Sequence, residues 1–180
     1  MSRFFRAACD HPRVPSVIPE ERQVRPVTAE EVFEQIYAAY GPALYRFCRM
    51  QMGNTADAED VLQEVFCKRL YRAPDFETAE QERRWLFRVA VNQCRDELRR
   101  GHRKNVELTE EVPAPESMDL GLWELVSTLP EKQRTVLYLH YAEGWTVEEI
   151  AKILGTTASA VKMRLKRGRE ALRREWEAER

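Results

Sequence analysis

The sequence predicts an all-α protein, two small helical domains joined by an extended acidic linker. Three observations predict it. Apolar residues recur three and four positions apart in every periodic segment, the pattern of helices with one buried face. No segment shows the strict alternation of a half-buried strand. Between 101 and 121 the period vanishes, and Pro113 and Pro115 stand among Glu107, Glu110, Glu111, Glu116 and Asp119, a composition that stays extended and solvated. The expected divisions are a tail at 1–26, a first domain at 27–100, the linker at 101–121 and a second domain at 122–176.

Residues 1–26 carry Pro12, Pro15, Pro19 and Pro26 without a sustained period, as expected of a mobile tail. Thr28 and Glu31 form a capping box, and Val32, Phe33, Ile36, Tyr37 and Tyr40 give the helix after it one apolar face. Gly41-Pro42 is expected to interrupt it. A second helix then buries Leu44, Phe47 and Cys48 and ends near Gly53-Asn54. The third, TADAEDVLQEVFCKRLYR, sets a core stripe of Ala58, Val61, Leu62, Val65, Phe66 and Leu70 against an outward face of Asp57, Asp60, Gln63 and Glu64. Ala73-Pro74-Asp75 breaks the pattern, and Thr78 with Gln81 marks another capping box. The fourth helix runs from about Ala79 to Arg100, with Trp85, Leu86, Val89, Ala90 and Leu98 inward and Arg84, Arg88, Asn92, Arg95 and Arg99 outside.

The second domain opens with a helix at Leu122 to Leu129, and Pro130 suits the first turn of the next, where its missing N–H costs nothing. Val136, Leu137, Leu139 and Tyr141 pack that helix on the stretch Gly144 to Arg174. There Thr146 and Glu149 form a third capping box, Val147, Ile150, Ala151 and Leu154 keep helical spacing, and Gly155 stands where a left-handed residue ends a helix. Thr157 or Ser159 caps a second helix with Val161 and Leu165 inward and Lys162, Arg164, Lys166, Arg167 and Arg169 outward. Ala151 and Gly155 are small where two helices are expected to cross closely. The result is a helix-turn-helix whose second helix is cationic. Taken alone it fits a DNA reader or a solvated basic helix of a three-helix bundle.

Composition narrows the classes. The 180 residues, 43% hydrophobic and 33% charged, are ordinary for a soluble helical protein. The net charge of -1 is sorted along the chain: 81–104 has eight basic against three acidic residues, and 156–174 seven against one. By contrast 27–66 has two against seven, and 105–121 has five acids and no base. Local fields of this kind steer partners whatever the total. Cys9, Cys48, Cys67 and Cys94 form no CxxC pair, and His11, His102 and His140 form no ligand cluster, so neither a metal site nor a disulfide framework is expected. The last three cysteines fall among apolar helix residues and read as buried small hydrophobes. No nucleophile–base constellation is present, and no enzyme activity or cofactor is expected. No apolar run has the length of a membrane span or a signal-peptide core, so membrane insertion is not expected and the cytoplasm is.

Three motifs in order, DAEDVLQEVF at Asp57 to Phe66, WLFRVAVNQCRDELRR at Trp85 to Arg100, and LPEKQRTVLYLHYAEGWTVEEIAKILGTTASAVKMRLKRGREAL at Leu129 to Leu172, resemble the group IV (extracytoplasmic function, ECF) sigma factors of bacterial RNA polymerase. The resemblance covers the chain from about Val27 onward. It implies that the first domain corresponds to sigma region 2 and the second to region 4. It implies further that Asp57, Asp60, Gln63 and Glu64 dock on the polymerase β′ clamp coiled coil, with the β flap as a second contact on core RNA polymerase. Arg84, Arg88, Asn92, Arg95 and Arg99 would capture the minus-ten promoter strand, with an unstacked base entering a pocket formed partly by the loop Arg72 to Glu77. Trp85 is better assigned to core packing. Lys162, Arg164, Lys166 and Arg167 would meet the minus-35 duplex, where Met163 replaces the small polar residue of many relatives. An anti-sigma factor is a further implied partner, and the acidic linker would thread the RNA exit channel. The alternative is a stand-alone helix-turn-helix regulator of transcription, which leaves the acidic helix and the first basic helix without a role.

Overall fold

The computed structural model describes residues 28–104 and 125–178, and every regular element among them is a helix. The expected tail and all of the acidic stretch 105–121 lie outside those residues, as does Cys9. The described helices are α1 (Ala29–Met52), α2 (Thr55–Arg72), α3 (Ala79–Lys104), α4 (Glu131–Tyr141), α5 (Val147–Leu154) and α6 (Ala158–Ala178), with a helical stretch at 125–128. They pack as two separate units, α1–α3 and α4–α6.

In the first unit each helix packs on the other two. Thr28 Oγ1 accepts from the Glu31 N–H at 3.2 Å while the Glu31 carboxylate accepts from the Thr28 N–H at 2.9 Å, the reciprocal box read from the sequence. The expected break at Gly41-Pro42 is absent: α1 runs through it. Proline forfeits one backbone bond and crowds the preceding turn, but Ile36, Tyr40, Leu44, Phe47 and Cys48 are buried on one stripe spanning both sides of the pair. Burying one such large side chain is worth about 1.5–3 kcal/mol, so the summed burial outweighs the local penalty. The helix stops instead at Gly53, φ 78°, whose N–H bonds the Arg49 carbonyl.

The core of this unit joins that stripe to Ala58, Val61, Leu62, Val65 and Phe66 of α2 and to Leu86, Phe87, Ala90, Val91 and Cys94 of α3. Phe47 and Phe87 meet edge to face at 5.8 Å. Cys48 and Cys94 are buried as expected, but Cys67 is exposed, because its helical register places it with Asp60 and Glu64 and not with the core stripe. α3 starts with Thr78 Oγ1 accepting from the Gln81 N–H at 3.2 Å, yet Gln81 reaches back to the Glu77 N–H, at 3.1 Å, one residue earlier than the usual box. It continues to Lys104, four residues past the expected end.

In the second unit Val136, Leu137 and Leu139 of α4, Ile150, Ala151 and Ile153 of α5, and Val161, Leu165 and Leu172 of α6 are buried together. Pro130 sits at the N-cap, one position before the expected first turn. Its carbonyl accepts from Gln133 and Arg134, and its absent N–H is again no loss. The turn between α4 and α5 is tied by the Trp145 N–H to the Leu139 carbonyl at 3.1 Å and by His140 Nδ1 against the Trp145 carbonyl at 2.8 Å.

Candidate nucleic-acid interface

Local sequence fixes the attitude of α6. The Thr146 and Glu149 box starts α5, and Gly155 ends it with φ 60°, its N–H shared by the Ala151 and Lys152 carbonyls. Thr157, not Ser159, caps α6, its hydroxyl accepting from the Ala160 N–H at 3.2 Å. The expected close helix approach is not at Gly155, where an added Cβ would meet nothing within 4 Å. It is at Gly168, where a Cβ would stand 2.8 Å from Leu137 Cδ1, so this glycine lets α6 lie against α4. Arg169 donates to the Tyr141 hydroxyl at 3.3 Å, which pins the same crossing from the edge. Lys162, Lys166 and Arg167 are exposed, and Arg164 is half-buried on the flank of the helix. Lys166 leans toward Glu170 at 3.8 Å.

On α3 the spacing of four, four, three and four gathers Arg84, Arg88, Asn92, Arg95 and Arg99 into one stripe. Arg88, Asn92 and Arg99 are exposed, while Arg84 and Arg95 are half-buried. Arg84 pairs with Glu80 at 3.5 Å and Arg99 with Asp96 at 3.2 Å, each within its own helix. Arg88 makes no ion pair with a described residue. Trp85 is half-buried, against the expectation of core packing, and its ring rests on Phe76 of the preceding loop at 5.8 Å.

The acidic face of α2 is less uniform than its sequence suggests. Asp57 is half-buried and engaged at the helix start, its carboxylate accepting from Asn54 Nδ2 at 2.8 Å while its N–H donates to Asn54 Oδ1 at 2.8 Å. Asp60, Gln63 and Glu64 are exposed, with Glu64 3.6 Å from Lys68. Sequence reasoning missed two continuations of this face. Cys67 and Tyr71 lie seven and eleven residues after Asp60, near whole numbers of turns, and Tyr71 is 82% exposed. Counting forward in threes and fours from Asp60 was the signal that finds them.

Comparison with known proteins decides what these faces belong to. Residues 36–104 match the family model for sigma-70 region 2, and residues 120–172 match that for sigma-70 region 4. SigL of Mycobacterium tuberculosis, an ECF RNA polymerase sigma factor, is 32% identical over 151 residues, covering 77% of this chain and 85% of its own length. The chain belongs to the ECF sigma factors of the sigma-70 family. SigW of Bacillus subtilis, another ECF RNA polymerase sigma factor, is 29% identical over 168 residues, covering 81% of this chain and 89% of the relative. The fold is also that of the sigma factor RpoE, solved with the anti-sigma factor NepR from Bartonella quintana, at TM-score 0.70 and 24% identity over 83% of this chain and 99% of that one. The function is therefore that of a sigma factor, directing core RNA polymerase to promoters and starting DNA melting.

In this sigma factor a partly buried polar node ties the region 2 loop before α3 to α1 and α2. The Tyr40 hydroxyl donates to the Ala79 carbonyl at 3.2 Å and lies 3.3 Å from Glu82 Oε2. Arg69 donates from Nε to Glu82 and spreads over the Phe76 ring at 5.1 Å. Burial and the Glu82 carboxylate push the Tyr40 phenol up to about 12. Beside the node an open cleft of about 540 Å³ is lined by Ile36, Tyr40, Arg69, Pro74 and Phe76 among others. It opens between the loop and α1, and neither Arg88 nor Asn92 lines it.

Proposed function

We propose that the three helix faces divide the work of initiation. Asp60, Gln63 and Glu64 on α2 dock region 2 on the β′ clamp coiled coil, where two carboxylates four apart, with the Gln63 amide between them, present one stripe to partner arginines. Asp57 serves mainly as the partner of the α2 cap and contributes less. The α3 stripe takes the displaced minus-ten strand: Arg84, Arg88, Arg95 and Arg99 hold phosphates, and Asn92, which both donates and accepts, meets a base edge. An unstacked base is received at the loop Arg72 to Glu77, the unstacking cost of a few kcal/mol being offset by binding of the strand. On α6, Lys162, Lys166 and Arg167 meet the minus-35 duplex, with Arg164 a flanking contact.

The observation that carries this reading is the separation of charge by element: one acidic helix face and two cationic ones, each on a helix seated by its own buried stripe. A stand-alone helix-turn-helix regulator needs only the last of them. The protein itself performs no chemistry, catalysis residing in the polymerase. Its remaining partners are the β flap and an anti-sigma factor, its compartment is the cytoplasm, and no cofactor is required. Among the described residues no helix is long and apolar enough to cross a membrane.

Reconstitution tests the division. With bacterial core polymerase, Lys162→Ala and Arg167→Ala are expected to weaken protection of the upstream element in a footprint. Asn92→Ala is expected to leave that protection intact and to reduce permanganate reactivity at the downstream element. Equal loss of both signals in all three variants contradicts separate roles.

A further inference from the structure

Resting on α6 as the duplex-facing helix, we infer that Met163 is a specificity residue that reads the 5-methyl group of a thymine in the major groove. The buried stripe of α6, Val161, Leu165, Gly168 and Leu172, defines which direction of the helix faces the domain. At about 100° per residue, Met163 lies within about 10° of the direction opposite the centre of that stripe. Lys166 and Arg167 lie about 50° to either side of that direction, and Lys162 about 90° from it. Met163 is 54% exposed. It therefore stands at the apex of the outward ridge, in the second turn from the Thr157 cap, with cations down both slopes.

A helix entering the major groove by this ridge carries its apex side chain deepest, toward base edges, and its slopes against the phosphate walls. The cations on the slopes are placed for phosphates. The apex is a thioether, which has no donor and is a weak acceptor. Of the groups on the groove floor, only the thymine methyl offers it an apolar surface. Methionine, unbranched and adaptable, can reach and cover that methyl. The ridge also has an end. Glu170 lies near the same direction about 10 Å further along the axis, where its carboxylate, held toward Lys166 at 3.8 Å, opposes entry between phosphates. Isolated exposed apolar side chains are ordinary; this one is set apart by its position on a cationic ridge.

The test uses holoenzyme reconstituted from this chain and bacterial core polymerase. A bound duplex is selected from a library randomised across the upstream element, and each thymine in it is replaced in turn by deoxyuridine, which pairs identically and lacks the methyl. At one position the native chain should lose about fourfold in affinity, the worth of one buried methyl-sized group. Met163→Ala should bind the thymine and deoxyuridine duplexes equally, and Met163→Leu should retain the discrimination. Met163 is on the surface, so both variants should keep the native helical circular dichroism and thermal midpoint. If no thymine is sensitive, or if Met163→Ala keeps the same penalty, the assignment is wrong while the duplex-binding role of α6 stands. If selection enriches no sequence, that role falls and the assignment with it.

Discussion

Gly155 and Gly168 are both required, for different reasons that substitution separates. Gly155 has φ 60° and open space around it, so alanine there meets only backbone strain of about 1–2 kcal/mol. Gly168 has no such φ but has Leu137 in its path. Alanine at 168 gains about 1 kcal/mol of helix propensity and loses about 1–3 kcal/mol to overpacking. Gly168→Ala should therefore lower the melting temperature modestly, and in a Leu137→Ala background it should raise it, as thermal unfolding of the four proteins would show. In the first unit, the Tyr40 phenol, raised from 10.0 to about 12 by burial and Glu82, has a folded pKa above its unfolded value. The stability it contributes is thus fully present below about pH 10 and lost as pH rises through 12. Tyr40→Phe should cost about 1 kcal/mol at neutral pH and flatten that alkaline loss, which melting curves taken across pH 9–12 would reveal.

At the scale of elements, what was legible in the sequence was what is local. The Thr28 and Thr146 boxes, the Gly155 stop and the stripes of α2 and α6 each need only residues a few positions apart. What was not legible depends on a partner element. Gly41-Pro42 carries a local stop signal that α1 overrides because both halves bury one continuous stripe. Gly168 looks like any helical glycine until Leu137 is placed against it, and Trp85 reads as core but is half-buried against Phe76 of the preceding loop. The residues of the three charged faces were found from spacing, but the standing of Asp57 was not, since its carboxylate is drawn to Asn54. This sharpens a prediction: Asp60→Arg with Glu64→Arg should reduce competition for core polymerase by more than tenfold, whereas Asp57→Asn should change it little and lower thermal stability. Equal loss of core binding in both would place Asp57 in the interface after all.

At the scale of the molecule, each unit carries its own cationic helix, and under the proposed division a promoter with two elements is the target that would engage both. Linking two binding modules raises the effective concentration at the second site without any new contact. The joining stretch with its five acids, Glu107, Glu110, Glu111, Glu116 and Asp119, lies outside the described residues. The expectation that it assists assembly in the RNA exit channel is tested by a neutral Gly/Ser replacement of equal length, which should weaken holoenzyme formation most at low salt. The central claim, that this chain gives core polymerase its promoter choice and opens the DNA, is tested most directly by run-off transcription. Core enzyme plus the purified chain, on templates drawn from transcripts induced by its overexpression, should yield a transcript of defined start that neither component gives alone. A chain that binds those duplexes but supports no run-off product with core enzyme would contradict it.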